Sequence, residues 1–325
     1  MNLEKITAKK KRLDNHRPLP GALVRNLDDW FRIELTFTSN ALEGNTLTRQ
    51  ETAMVVEKGL TVGGKTLVEH LEATNHARAL DWVNAQVKRS PRELTEEDIL
   101  YIHALVLKSI DDEHAGYYRR VPVRISGSTV VMPNPLKVSD LMAQFQSWLH
   151  SYTSLHAVEL AAEAHYRLVT IHPFVDGNGR TARLLMNLIL MMLGYPPAII
   201  RKRDRLAYVN SLERAQLGGS KADYFTIITK AVNRSLEVYL KAIEGESDTN
   251  FDDQTLLKIG GLAKASGESS STIRHWTKEG LLEVTEITES GYQLYAADMV
   301  HRIQEINAFK KQRYTLQEIK ELLSR

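Results

Sequence analysis

The stretch HPFVDGNGRTARLLMNLILMML, residues 172–193, carries two signals in direct succession. Its second half, 184–193, is the most apolar run of the chain, ten residues long and interrupted only by Asn187. A membrane span needs about twenty apolar residues, so this run predicts a buried core helix. The first half reads as a turn: Asp176 and Asn178 are turn formers, and Gly177 and Gly179 let the backbone bend sharply and approach a ligand without side-chain clash. The helix expected to begin near Gly179 has Arg180 and Arg183 in its first turn, where the dipole and unpaired N–H groups disfavour cations. Something anionic should compensate them. Unpaired amides, a helix N-terminus and two guanidiniums three residues apart together make a polyphosphate cradle.

A carboxylate beside phosphates is repulsive unless a cation intervenes, and Mg2+ held by Asp176 plus phosphate oxygens removes that conflict. His172 lies four residues before Asp176, and an imidazole near its ordinary pKa is suited to take a proton from a hydroxyl nucleophile. Base, metal and anion cradle are the parts of phosphoryl or nucleotidyl transfer.

Residues 172–183 also fill every fixed position of the pattern His-x-Phe-x-Asp/Glu-Gly-Asn-Gly-Arg-x-x-Arg, and through it the sequence resembles the Fic family. The resemblance implies a compact helical fold in which this loop joins two helices. It also implies transfer of AMP from ATP, with Mg2+, to a hydroxyl side chain of a target protein, the chain itself being one candidate. His172 is then the base and Asp176 the metal ligand. Gly177, Asn178 and Gly179 line a phosphate hole, and Arg180 and Arg183 grip the outer phosphates, with Thr181 and Ala182 between them in the same nucleotide-binding turn. Phe174 anchors the loop in the core. Use of another nucleotide or phosphodiester, as in some family members, stays open.

The likeness extends to both sides. GYYRRVPVRISGSTVVMPNP, residues 116–135, alternates around Val121, Val123 and Ile125 and carries a Ser-Gly turn, which predicts one small hairpin. It is similar to the family's flap, whose open edge holds a target segment by strand addition, and this places Ile125, Ser126, Gly127 and Ser128 over the nucleotide. Downstream, 194–219 is similar to the family's adenine-side region, placing Tyr208, Val209 and Gln216 near the base. Gln216 and Gly219 stand where close relatives often have asparagine and an acidic residue.

SNALEGN, residues 39–45, matches the family's inhibitory pattern Ser/Thr-x-x-x-Glu-Gly/Asn. The resemblance sets Glu43 against Arg183 in a bidentate pair that occupies the guanidinium meant for the γ-phosphate, while Ser39, one helical turn earlier, supports that end of the helix. Two roles stay open for Glu43: inhibition alone, or inhibition together with AMP removal.

The chain has 325 residues, 43% of them hydrophobic, enough for two or three modules. Lys and Arg total 42 against 40 Asp and Glu, so the net charge of +2 creates no global field for nucleic acid or an anionic membrane, and any basic site must be local. Cysteine is absent, which excludes disulfides and thiolate metal sites and fits a reducing cytoplasm. The basic opening AKKKRLDNHRPLPG, residues 8–21, runs into polar residues and prolines where an export signal needs an apolar core, so neither export nor membrane insertion is expected. GLTVGGKT, residues 59–66, matches the phosphate-loop pattern, but a charged helical segment precedes it instead of a buried strand, so phosphate binding is not expected there.

Helical periodicity runs from 27 to 89, from 97 to 108 behind the capping Thr95, and again from 138 through the loop to about 243. The polar, acidic segment 244–254 reads as a linker. Beyond it, GLAKASG and SSSTIRHWTKEG suit a helix-turn-helix and GLLEVTEITESGYQLY suits a wing. This tail resembles the winged helix-turn-helix of MerR-type regulators, which puts Ser271, Thr272 and Arg274 on a recognition helix and Tyr292 on the wing. Residues 251–325 hold ten Lys or Arg and eleven Asp or Glu, a poor balance for phosphate contact. Gln293 replaces a common wing arginine, and His275 and Trp276 replace a common pair of tyrosines. DNA contact, protein contact and a structural role stay open for this tail.

The expected class is therefore mainly α: a Fic helical fold with a small β-hairpin flap, followed by a winged helix-turn-helix. The expected divisions are 1–94, a helical region with the inhibitory helix; 95–243, the catalytic core; 244–254, the linker; and 255–325, the MerR-like domain. The family resemblance implies a homodimer. The alternative function is a DNA-binding regulator whose helical body serves as sensor or dimeriser.

Overall fold

The computed structural model describes residues 3–244, 257–284, 286–287, 292–295, 299–311 and 314–323. All of the expected linker beyond Glu244, and part of the wing, lie outside the described residues. The chain divides into two compact units, Met1–Ser247 and Asp248–Arg325.

The first unit is helical throughout: α1 Leu3–Asp14, α2 Gly21–Leu42, α3 Arg49–Lys58, α4 Leu67–Gln86, α5 Glu96–Leu107, α6 Val138–Ser151, α7 Ala157–Ile171, α8 Asn178–Met192, α9 Arg205–Gln216 and α10 Ala222–Glu244. The apolar run forms α8, whose Leu185, Met186, Leu188, Ile189 and Leu190 are wholly buried. Helices α7, α5, α4 and α2 all pack against it, and each such side chain contributes about 2 kcal/mol relative to exposure. Asn187 is tolerated there because its Oδ1 accepts from the Ala198 amide at 2.8 Å, which satisfies a loop backbone that water cannot reach.

Local chemistry sets the helix starts. Thr48, Thr66 and Thr95 each close a capping box, with Glu51, Glu69 and Asp98 as the reciprocal acids. The phosphate-loop lookalike is consumed in this way: Gly59 ends α3 in the left-handed region, Thr66 caps α4, and Lys65 Nζ donates to the Thr46 carbonyl at 2.7 Å. Residues 8–14 of the basic opening lie in α1, inside the region 1–94 expected to be helical. Ile6 and Leu13 are buried and the helix packs on α10, while Lys9 pairs with Glu237 and Arg12 with Glu244.

The segment 116–135 differs from the expected hairpin in one respect. Its turn forms, with Gly127 at φ 77° and the Ser128 amide donating to the Ile125 carbonyl at 3.1 Å, but its arms carry no strand ladder. Pro122 and Pro133 have no N–H to give. The carbonyls of Val121 and Pro133 instead accept from the buried Arg119 guanidinium at 3.2 and 2.7 Å.

Three histidines of this unit are buried and neutral. Burial, with the field of nearby arginines, lowers His76 and His165 to about 3 from an ordinary 6.5, and burial lowers His103 to about 4 against the pull of the Asp176 carbonyl. Because the folded-state values are depressed, the unfolded chain takes up protons first as pH falls below 6.5. Stability should therefore be intact above that pH and fall by roughly 1 kcal/mol per histidine for each pH unit below it, until the folded-state values are reached. Thermal unfolding at pH 7 and pH 5 checks this; an unchanged midpoint would contradict it.

The second unit has α11 Ile259–Ser266, α12 Ser270–Lys278, α13 Met299–Lys311 and α14 Leu316–Leu323 beside a small antiparallel sheet. Strands β1 Leu257–Lys258, β2 Glu286–Ile287 and β3 Gln293–Tyr295 lie in the order β1-β3-β2, so the expected wing gains a third strand. Leu262, Ile273, Trp276, Tyr295, Ile303 and Ile306 form its core. Among the described residues, no helix is long and apolar enough to cross a membrane.

Candidate active site

The loop between α7 and α8 is held by its own polar atoms. Asn178 Oδ1 accepts from the Phe174 amide and its Nδ2 donates to the Phe174 carbonyl, both at 2.9 Å. The expected lining role of Asn178 is thus limited to its backbone amide, because the side chain is spent on closing the loop. Phe174 is fully buried and stacks on His103 at 3.6 Å. His103 Nδ1 accepts from the Gly116 amide and its Nε2–H donates to the Asp176 carbonyl, both at 2.9 Å. Gly177 sits at φ 75°, and a Cβ there would also press on the His103 ring.

His172 ends α7 in the left-handed region at φ 50°. Its Nδ1 lies 3.3 Å from the Val169 carbonyl, which can only accept, so Nδ1 carries the proton and Nε2 keeps its lone pair. Burial is the largest influence and lowers the His172 pKa below its ordinary value. Arg119 Nε donates to the His172 carbonyl at 2.7 Å and so ties the loop to the flap.

At the head of α8 the first amides have no carbonyl one turn earlier. Arg183 Nη2 lies 2.6 Å from Glu43 Oε1 and 3.0 Å from the Ser39 carbonyl, while its Nε donates to Ser39 Oγ at 2.9 Å. The Glu43 contact is single, not the expected bidentate pair, because Ser39 takes the other edge of the fork. Burial pushes the Glu43 carboxyl up, but the Arg183 guanidinium, with Arg180 and Arg205 behind it, outweighs that and holds it below the usual range. A Cβ on Gly179 would overlap the Glu43 carboxylate, so the space above this glycine is the space Glu43 fills. Arg180 Nη1 pairs with Glu72 Oε1 at 2.6 Å and its Nη2 with Asp176 Oδ2 at 3.1 Å. Thr181 and Ala182 are fully buried, and the Thr181 amide already donates to the Gly177 carbonyl. Neither presents a side chain to a ligand, because both lie on the core face of α8.

Asp176 has a side chain 68% exposed, with one oxygen on Arg180. Among the described residues, no group of three His, Cys, Asp or Glu side chains could hold a metal. The donor set fits an ion that takes one carboxylate here and its remaining oxygens from a phosphate ligand or water, as Mg2+ does.

The adenine-side residues divide. Tyr208 is 4% exposed; its O–H donates to His165 Nε2 at 2.7 Å, and Arg183 donates to its oxygen. His165 Nδ1–H in turn meets Tyr224, whose proton goes to the Ala162 carbonyl. Tyr208 therefore braces Arg183 from below and is not turned toward a base, because its one polar atom is committed inward. Gln216 Nε2 reaches the Val169 carbonyl and Thr170 Oγ1. Val209 is exposed. The flap tip, Ile125, Ser126, Gly127 and Ser128, is held by Glu213: its Oε1 accepts from Ser128 Oγ at 2.9 Å and from the Thr129 amide at 2.8 Å. Nothing in the linear pattern marks Glu213, Glu72, His103, His165 or Arg119, since a charged or imidazole side chain carries no local signal of its long-range partner.

In the second unit Ser271 and Arg274 are exposed on α12. Ser269 Oγ caps that helix through the Thr272 amide and also bonds the Ser271 and Thr272 hydroxyls. Tyr292 is 59% exposed, with the Lys258 ammonium over its ring.

The model of the Fic/DOC family matches residues 93–190, and that of the MerR HTH family regulatory proteins matches 257–325. The protein adenylyltransferase Fic of Culex quinquefasciatus is 37% identical over 241 residues, covering 74% of this chain and 47% of its own length. The chain thus spans about half the length of the curated relatives it matches. Among solved structures, Fic-1 from C. elegans superposes with a TM-score of 0.69 at 31% identity, over 75% of this chain and 72% of that one. A Fic domain containing signaling protein from Bacteroides thetaiotaomicron gives 0.67 at 30% identity, over 76% and 98%. With the loop pattern filled at each fixed position and seated between α7 and α8 of such a helical body, the chain belongs to the Fic/DOC family.

Proposed function

We propose that the protein transfers AMP from ATP, with Mg2+, to a hydroxyl side chain of a target protein, and that Glu43 restrains it. The observation that carries this reading is the unprotonated Nε2 of His172 beside a helix mouth whose Arg183 is occupied by a carboxylate from another helix. His172 takes the proton of the target hydroxyl; the hydroxyl oxygen bonds to the α-phosphorus; the bond to the β-phosphate oxygen breaks and pyrophosphate leaves. Arg180 and Arg183 hold the departing phosphates, with the amides of Gly177, Asn178 and Gly179 around them. Asp176 would hold Mg2+, which supplies charge neutralisation to the phosphate oxygens. The flap tip covers the nucleotide beside Val209. Residues 1–94 act as the regulatory part and 95–243 as the catalytic part.

Curated relatives named protein adenylyltransferase Fic support the choice of AMP over other groups. A homodimer and a cytoplasmic setting are part of the reading; the latter supplies ATP and suits a chain without cysteine. The test is intact mass measurement after incubation of the Glu43→Gly variant with Mg-ATP and α-labelled ATP. An AMP adduct on the chain or a co-incubated protein is expected, and labelling no greater than that of the unsubstituted protein would overturn the reading.

The MerR match favours a second activity for the tail, DNA contact through α12 and the wing. Full-length protein should then be retained on duplex DNA in a salt-dependent manner, and Arg274→Ala should weaken retention about tenfold. Retention that neither salt nor this substitution alters would leave the tail with protein contact or a structural role.

A further inference from the structure

Glu72 on α4 is remote in sequence from the loop, yet its Oε1 lies 2.6 Å from Arg180 Nη1, closer than the 3.1 Å of Asp176 Oδ2. Its other oxygen accepts from Asn45 Nδ2 at 2.9 Å. That amide also donates to the Glu69 carbonyl at 3.1 Å, while Asn45 Oδ1 takes the Leu47 amide at 2.9 Å. Both oxygens of Glu72 are therefore committed, one to Arg180 and one to the turn that follows the inhibitory helix.

The carboxylates around the cradle differ in kind. Glu43 caps the end of α2, and its side chain is 38% exposed and paired with Arg183. Asp176 is 68% exposed and faces the place a divalent ion would take. Glu72 is 15% exposed, within a regular helix, and bridged on both sides. Arg180, 3% exposed, cannot be left without a counter-charge at low cost. Once an ion claims Asp176, Glu72 is the carboxylate still in contact with it. A guanidinium is a rigid planar fork, so pinning Nη1 also sets the direction of Nη2.

Resting on the nucleotide reading above, we infer that Glu72 is a positioning residue: it holds the Arg180 guanidinium with its second arm turned to the loop, ready for an outer phosphate of the nucleotide. It is not a second brake, since its carboxylate meets Arg180 and Asn45 and does not lie over Gly179, where Glu43 sits.

Calorimetric binding of Mg-AMPPNP, a non-hydrolysable triphosphate, and of AMP, which lacks the outer phosphates, tests this in the Glu43→Gly background. Glu72→Ala should weaken Mg-AMPPNP about tenfold and leave AMP within about twofold. Glu72→Gln, which keeps an oxygen acceptor for Arg180, should restore most of the loss, and it carries the comparison if the alanine variant does not fold. Arg180→Ala should match the Glu72→Ala loss, with the double variant no weaker, as for two residues acting through one contact. Equal weakening of both nucleotides, tighter Mg-AMPPNP binding, or additive losses would overturn the inference. If Glu43→Gly binds neither nucleotide, the nucleotide reading itself fails and the inference falls with it.

Discussion

Glu43→Gly should raise AMP transfer about a hundredfold, the scale on which one charged donor in a transition-state site acts. Arg183 is buried, and its donors are divided among Glu43, Ser39 and Tyr208. Only the Glu43 contact sets a full negative charge where the outer phosphates would lie, above Gly179. Its removal frees the Arg183 edge without disturbing Ser39 or Tyr208, so the guanidinium stays aimed. The same substitution leaves a buried cation without its counter-ion and should lower stability by about 2 kcal/mol. Activity and melting temperature thus move in opposite directions, which a label-transfer assay and a thermal melt read side by side. A variant that is both less stable and no more active would refute the expectation.

Loss of His172 should have the larger effect. In the Glu43→Gly background, His172→Asn should reduce transfer about a thousandfold while Mg-ATP affinity changes little, because the imidazole acts on the incoming hydroxyl and not on the phosphates. Asparagine is the better replacement than alanine, since position 172 is left-handed and asparagine tolerates that conformation. The pH profile carries the sign: burial lowers the His172 pKa, so the neutral base persists below 6.5 and activity should be lost only as pH falls further. A profile of the Glu43→Gly variant with its acid limb at or above 6.5 would contradict this environment for the imidazole.

Much of the site lies in one local segment and was open to sequence reading for that reason. The turn needs Gly177 in the left-handed region, the helix start follows it, and two arginines in a first turn demand an anion, all of it near-neighbour chemistry, whereas the room that Gly179 leaves is for Glu43 from another helix. The pairing of Glu43 with Arg183 could be anticipated through a family pattern, though the sharing of the guanidinium with Ser39 could not. Valine alternation predicts paired strands for the flap's arms, but it is equally compatible with extended arms whose carbonyls a buried arginine satisfies. Tyr208 reads as a base-side residue in the linear pattern, and only its burial against His165 turns it into a support for Arg183.

What the sequence determined alone was whatever depends on residues within a few positions: the buried helix 184–193, the helix start capped by Thr95, the loop that presents His172 and Asp176, and the helix-turn-helix pattern of the tail. What the tertiary structure decided was every partnership across the chain. Arg180 meets Glu72 over 108 residues, Arg183 meets Glu43 over 140, and Ser128 meets Glu213 over 85. Periodicity reports which face of a helix is buried, but a side chain's charge partner depends on how helices cross, and that is set by the packing of the whole core.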